Sequence, residues 1–134
     1  MKVIIAGPRD FKNESFIHMK LDELSKKIEI SEVIHGLATG VDTFAGRWAN
    51  KNNMPVLEFP AEWDKYGKRA GYIRNKQMSE VGDYLIAFYG GSKGTGMMIE
   101  IMKKLNKPVT IVDIEDIPKL EKKVRRLAIY SKGD

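Results

Sequence analysis

Three short segments of this chain combine glycines with residues that bind negatively charged groups. They occupy residues 7–11, 35–42 and 90–95, and the last two lead directly into amphipathic stretches. Glycines open the backbone at the beginning of a helix, where unpaired N–H groups and the helix dipole attract anions. We therefore predict that these segments bind the phosphate groups of a ligand.

The second and third segments differ from the two common nucleotide-binding patterns, G-x-G-x-x-G and G-x-x-x-x-G-K-[ST]. Thr95 is interpreted as a helix N-cap or as a hydroxyl that binds phosphate. Asp42 fits either a ligand contact or an acid in the first helical turn, and His35 fits either a structural strand end or a base. The candidate binding residues here are Gly36, Ala38, Gly40, Asp42, Gly90, Gly91, Gly94 and Thr95.

The first segment offers a sharp turn at Gly7 followed by Arg9 and Asp10. An arginine guanidinium can bind a phosphate or a carboxylate through two parallel hydrogen bonds. We predict that these three residues contact the ligand. The alternative is an ordinary turn with an exposed arginine and an aspartate that caps the next element.

Residues 60–72 follow neither the helical nor the strand period, and we predict a long functional loop there. Its aromatic residues Trp63 and Tyr66 are expected either to stack on a nucleobase or to pack the loop onto the core. Cations in and beside this segment attract anions, namely Lys65, Lys68, Arg69 and Arg74.

The elements that position these segments follow from alternating apolar runs and amphipathic stretches. Short apolar runs predict strands at 3–6, 33–34, 55–59, 84–88 and 109–112. Helical spacing predicts helices at 17–28, 41–49 and 97–105. A short helix is expected at 73–80, and a last helix opened by Pro118. This alternation predicts an α/β fold, a single Rossmann-like three-layer domain over residues 1–134 with a parallel sheet of about five strands. Ligands of such folds bind beyond the carboxyl ends of the strands.

The composition restricts the chemistry further. The 134 residues include no cysteine and two histidines, which excludes disulfides and thiolate metal sites and leaves no metal site or cofactor to predict. Apolar runs are too short for a membrane span and no signal peptide is recognised, so we expect a cytoplasmic protein without a membrane partner. Residues 119–134 hold six basic and two acidic side chains and carry +4 of the net charge of +5. We interpret them as the solvated face of a basic C-terminal helix and regard nucleic-acid binding as the weaker reading.

Four blocks of the sequence carry a family resemblance, and the likeness as a whole covers about residues 2–112. The blocks are AGPRDF (6–11), IHGLATGVDTFAGRWA (34–49), FPAEWDKYGKRAGYIRNKQM (59–78) and IAFYGGSKGTGMM (86–98). They resemble the YspA-like branch of the SLOG superfamily, whose relatives include the lonely-guy phosphoribohydrolases and DprA. The resemblance implies a Rossmann-like sheet, a homodimer or higher oligomer, and a pocket for nucleotides or nucleotide-derived ligands of the ADP-ribose type, with Arg74 and Asn75 among the pocket residues.

The resemblance also bears on catalysis, because the enzymatic relatives use an R-x-x-x-M arginine and a GG-x-GT-x-x-E glutamate. Arg74 and Met78 match the first pattern, but Met98 stands where the glutamate is expected. Glu100 lies two residues further on, about 200° around a helix. We therefore predict a protein that senses or sequesters its ligand without catalysis. The alternative is a nucleoside 5′-monophosphate phosphoribohydrolase in which Asp10, Asp42 or Glu100 supplies the acid and Arg74 assists.

Overall fold

Five short strands form one parallel sheet in the computed structural model, which describes residues 1–114. The order across the sheet is β3-β2-β1-β4-β5. The strands are β1 (Lys2–Ala6), β2 (Glu32–His35), β3 (Val56–Glu58), β4 (Tyr84–Tyr89) and β5 (Val109–Asp113). The predicted α/β, Rossmann-like architecture with a five-stranded parallel sheet is confirmed.

Helices cover both faces of this sheet. They are α1 (Glu14–Ser25), α2 (Val41–Lys51), α3 (Trp63–Tyr66), α4 (Ala70–Val81) and α5 (Lys93–Lys104), with a 3₁₀ turn at Gly67–Arg69. On one face, Ile17 of α1 and Trp48 of α2 pack against the sheet in one apolar cluster. On the other face, Met78 of α4 and Met102 of α5 belong to a second cluster. The sheet is therefore the middle layer of three.

The segment 60–72 is the main correction to the predicted elements. It is largely helical, since it contains α3, the 3₁₀ turn and the first residues of α4. All four residues of α3 are at least partly exposed, so no apolar period marks it. The buried face of α4 carries Ala70, Asn75 and Ser79 beside Met78, and these small and polar residues conceal the helical period. Helix α5 also begins at Lys93, four residues before the predicted start.

Two predictions fall on residues beyond position 114. The predicted helix after Pro118 and the basic segment 119–134 lie outside the described residues.

The described residues also bear on membrane crossing and on metal binding. Within residues 1–114, every helix is too short or too polar to cross a bilayer. The same residues contain no group of three or more histidine or carboxylate side chains that could hold a metal ion.

Candidate functional site

The strand order brings the three glycine segments to one edge of the sheet. Strand β1 lies between β2 and β4, and all three run parallel. The segments that follow them therefore leave the same carboxyl edge, and the ends of β2 and β4 are about 10 Å apart across β1. The chain after β1 and β2 goes to one face and the chain after β4 goes to the other. The place where neighbouring strands send their following chains to opposite faces is called the topological switch point of the sheet. In α/β folds of this kind, ligands usually bind in the crevice at that point.

The turn after β2 has its amide groups occupied by the protein itself. Asp42 Oδ2 accepts hydrogen bonds from the N–H groups of Gly36 and Ala38, both at 3.1 Å. The N–H of Leu37 donates to His35 Nδ1 at 3.0 Å. In this conformation the amides of Gly36 and Ala38 already have an acceptor, and their binding to phosphate stays a prediction. The acid in the first turn of α2 folds back and takes the place that an anion would fill.

Asp42 and His35, the two buried hydrogen-bond acceptors of this turn, both have shifted pKa values. Burial raises the pKa of Asp42 to about 6, although the N–H of Ala38, the charge of Arg74 and the N–H of Gly36 all act against this rise. Burial lowers the pKa of His35, and the nearby Glu58 opposes that change. At neutral pH the histidine is uncharged, as its acceptor role at Nδ1 requires. The structural reading of His35 fits this arrangement better than the role of a base.

Arg74 is a half-buried cation at the carboxyl edge, over the turn that follows β2. Its Nη1 donates to the carbonyl oxygen of Gly36 at 2.7 Å, and its Nε donates to Asn75 Oδ1 at 2.9 Å. A Cβ atom on Gly36 would lie 2.2 Å from Nη1, so only glycine lets the guanidinium lie over the turn. Burial lowers the pKa of Arg74, while the Asp42 carboxylate favours its charged form. Guanidinium has five N–H donors, and the bonds named here engage two of them.

Asn75 connects this arginine to the turn after β4. Its side chain is buried, and Nδ2 donates to the carbonyl oxygen of Gly94 at 3.4 Å. The amide thus accepts from Arg74 on one side and donates to the α5 segment on the other. The structure therefore places Asn75 beneath the predicted site, where it holds two of its parts together.

The turn after β4 leaves an open helix N-terminus. Gly91 has a φ of +104°, a conformation that favours glycine, and a Cβ on Gly94 would meet no atom within 4 Å. Gly90 has a packing role, because a Cβ there would lie 2.4 Å from the carbonyl oxygen of Ile114. The first N–H groups of α5 lack acceptors within their own helix and lie at this edge.

The predicted N-cap role of Thr95 is corrected by this turn. Helix α5 begins at Lys93, and Ser92 occupies the cap position. Thr95 lies inside the first turn, is buried, and accepts a hydrogen bond from Ser92 Oγ at 2.8 Å. The hydroxyl of Thr95 therefore stabilises the turn through its hydrogen bond with Ser92.

The turn after β1 packs against the turn after β2. Gly40 has a φ of +70°, and a Cβ there would lie 2.6 Å from the carbonyl oxygens of Pro8 and Arg9. Gly7 has no room for a side chain either, because a Cβ would lie 2.6 Å from Val41. These two glycines allow the close approach of two loops. The side chains of Arg9 and Asp10 are exposed at the same edge.

Aromatic residues of α3 lie beside the first turn of α4. Trp63 is 58% exposed, and its indole approaches Gly71 in the first turn of α4. Tyr66 is half-buried, with Lys65 Nζ 5.1 Å from the centre of its ring. A shallow concavity of about 440 Å³ runs along residues 61–65. The exposed indole surface is available for stacking.

Glu100 lies away from the carboxyl edge of the sheet. It is exposed on the outer face of α5, seven residues after the helix begins, which is about 10 Å along the axis from the carboxyl edge. Met98, at the position where the enzymatic relatives have glutamate, is buried in the core. Neither residue brings a carboxylate to the site.

Leu37 is a site residue that the sequence did not reveal. It is 54% exposed and has a φ of +59°, directly beside the Gly36 carbonyl that Arg74 binds. A leucine between Gly36 and Ala38 gives no signal for left-handed backbone, because glycine and asparagine are the residues that normally adopt it.

The fold and this edge define a Rossmann-like α/β protein with a cation, an open helix N-terminus and exposed apolar side chains at the switch point of its sheet. The sequence profile of the YspA, cpYpsA-related SLOG family matches residues 1–66. The Gene 61 protein of Mycobacterium phage D29 is 36% identical over 117 residues, which covers 81% of this chain and 93% of the phage protein. The chain belongs to the YspA, cpYpsA-related SLOG family. Membership suggests the binding or processing of nucleotide-related ligands.

A solved structure supports the fold independently. DNA processing protein A (DprA) from Streptococcus pneumoniae superposes with a TM-score of 0.71 at 16% sequence identity. The match covers 96% of this chain and 56% of DprA, so this chain spans little more than half of that protein. At this identity the likeness concerns the fold alone.

Proposed function

We propose that the carboxyl edge of this sheet binds a nucleotide or a nucleotide-derived ligand of the ADP-ribose type, and that the protein senses or sequesters this ligand without altering it. The observation that carries the proposal is the position of Arg74, which lies over Gly36 and is connected through Asn75 to the α5 turn. A fixed guanidinium and a helix N-terminus at one edge suit a group with several negative charges.

The anion site proposed here is one part of the site expected from the sequence. Asp42 occupies the amides of the β2 turn, so the phosphate is assigned to the first turn of α5 and to Arg74. Exposed Arg9 and Lys93 add positive charge at the same edge. Trp63 offers an exposed aromatic face for the base.

Isothermal titration calorimetry with AMP, ADP, ADP-ribose and cyclic ADP-ribose tests this function. We expect at least one of these ligands to bind, and Arg74→Ala to weaken its affinity about tenfold or more, because a charged hydrogen bond contributes about 1.5–3 kcal/mol. Arg47→Ala is the matched control, since it removes the same charge from the outer side of α2, where Arg47 pairs with Glu14 at 2.9 Å. Absence of heat with all four ligands, together with no nucleotide released from the purified protein in mass spectrometry, would refute the proposal.

One observation favours hydrolysis as a second candidate function. Cleavage of the bond between base and ribose needs a group that supplies or removes a proton near neutral pH. Asp42 is a buried carboxyl beside Arg74 whose pKa is raised to about 6. Incubation with AMP, followed by chromatography for free adenine, separates the two functions. Adenine release that disappears in Asp42→Asn and Arg74→Ala would assign the enzyme.

The partners follow from the same proposal. The ligand is a small molecule, and the family resemblance predicts a homodimer or higher oligomer, which sedimentation velocity tests. DprA is by its name a DNA processing protein, but an identity of 16% carries the fold alone. Nucleic acid is therefore not part of the proposed function.

A further inference from the structure

Leu37 combines two unfavourable features at the candidate site. Its φ is +59°, in the left-handed region where a Cβ atom crowds the backbone, and its side chain is 54% exposed. The other non-glycine residues with positive φ in the described part of the chain are Asn53 and Asn106, and asparagine tolerates this conformation. A glycine at position 37 would satisfy the backbone without exposing an apolar side chain.

The surrounding turn fixes this conformation from several sides. The N–H of Leu37 donates to His35 Nδ1, and the amides before and after it donate to Asp42. Arg74 binds the carbonyl oxygen before it, and Thr43 Oγ1 donates to the carbonyl oxygen of Ala38 at 2.9 Å. Strained residues persist when their surroundings determine them in this way, and they concentrate at ligand sites. The turn therefore presents the leucine side chain rigidly to solvent.

The position of this side chain indicates what it can contact. Leu37 follows the residue whose carbonyl oxygen Arg74 binds, so an exposed apolar group and a guanidinium lie together at the end of β2. The open first turn of α5 follows β4, about 10 Å away across β1. A ligand whose phosphate lies between the first turn of α5 and Arg74, and whose flat, largely apolar base extends to the Leu37 side chain, matches this arrangement.

We propose that Leu37 is a specificity-determining residue, whose side chain packs against the base of the nucleotide bound at this edge. This inference rests on the proposed function. It adds that the turn after β2, whose amides are occupied by Asp42, contacts the base of the ligand through the Leu37 side chain, while α5 and Arg74 bind the phosphate.

The test compares Leu37→Ala and Leu37→Gly by calorimetry with AMP and with ribose 5-phosphate. Both substitutions remove the apolar contact, so each weakens AMP binding about fivefold to tenfold, as expected for burying roughly half of a leucine side chain. Neither changes the affinity for ribose 5-phosphate by more than about twofold, because that ligand has no base. Leu105→Ala is the matched control, since Leu105 is 47% exposed at the other end of α5.

Thermal unfolding of the same variants separates a binding role from a structural one. Of the two substitutions, only Leu37→Gly removes the steric strain of a Cβ at φ +59°. Leu37→Gly should therefore unfold about 2–6 °C above Leu37→Ala, although both variants bind AMP equally poorly. Affinity that follows stability across the two variants would overturn the inference.

The failure of this inference is distinct from that of the proposed function. If the wild-type protein binds none of the nucleotides, the proposed function fails first and the inference with it. If the wild type binds AMP and both variants bind it within twofold, or if ribose 5-phosphate loses as much affinity as AMP, the role of Leu37 alone is refuted.

Discussion

Substitution of Asp42 by asparagine should remove a pH dependence from the stability of the protein. The carboxyl is buried and binds two backbone amides through one oxygen, Oδ2. An asparagine carbonyl oxygen can take that place and keep both hydrogen bonds. The variant thus removes the charge while the turn keeps its shape.

The sign and the size of the effect follow from the pKa of Asp42. Its pKa is raised from 3.8 to about 6, so the folded state holds the proton more tightly than the unfolded chain does. The free energy of unfolding of the wild type therefore falls as the pH rises from about 4 to about 6, and this contribution is constant above that range. The full difference corresponds to about 3 kcal/mol. Asp42→Asn should lack this decrease, and its stability relative to the wild type should rise by about 2.4 kcal/mol between pH 4 and pH 7, because part of the full difference is already lost at pH 4.

Urea unfolding at half-unit steps from pH 4 to pH 7.5 measures this difference. Asp64→Asn is the control, because Asp64 is exposed in α3 and its substitution removes the same charge. Wild type and Asp42→Asn profiles that run parallel to within about 0.5 kcal/mol would show that the buried carboxyl does not titrate as described.

Two further substitutions test the contacts that shape the site and its supporting helix. Gly36→Ala would bring a Cβ to 2.2 Å from Arg74 Nη1, so the flexible arginine side chain must move. The affinity for nucleotide should then fall about as much as in Arg74→Ala, whereas the thermal stability should change little. Unchanged affinity would mean that the position of Arg74 over the turn is unimportant. Lys107→Met removes hydrogen bonds to the carbonyl oxygens of Ser79 and Gly82, at 2.7 and 2.9 Å, and should lower the free energy of unfolding by about 2 kcal/mol in urea titration. Exposed Lys104→Met is its control, and equal stabilities of the two variants would contradict the role of Lys107.

The sheet was predictable because its strands are short, apolar and separated by helical periods. Val3, Ile4 and Ile5 are fully buried on both faces of β1, so they form an apolar run without alternation. Because the strands are parallel, residues 7–11, 35–42 and 90–95 must leave the sheet at one edge. The convergence of the three segments is a consequence of topology.

The sequence could not show whether each glycine opens the backbone to a ligand or to other atoms of the protein. That depends on which side chain folds back and hydrogen-bonds to the turn. A first-turn acid such as Asp42 can face solvent, a ligand or its own loop, and the sequence does not distinguish these outcomes. Gly36, Gly40 and Gly90 are required for the close approach of protein atoms to one another. Of the glycines that suggested a ligand, Gly91 and Gly94 have open space where a Cβ would stand.

Helix α4 was predicted at 73–80, and its first three residues were missed for a different reason. Its buried positions include Asn75 and Ser79, so an apolar period cannot mark its inner face. Those polar residues are buried because they serve hydrogen bonds: Asn75 joins Arg74 to the α5 turn, and Ser79 Oγ donates to the carbonyl oxygen of Lys76. The helix that carries the central arginine is thus the one whose sequence pattern is weakest.

The most direct measurement of the central claim is a titration of ¹⁵N-labelled protein with ADP-ribose, followed by amide chemical shifts. Binding at the carboxyl edge should shift the amides of residues 91–95 and 36–38 and the Nε–H signal of Arg74, with smaller changes at the amino ends of the strands. Spectra that do not change at millimolar ligand, or shifts confined to the amino edge of the sheet, would contradict the assignment of this edge as a nucleotide site.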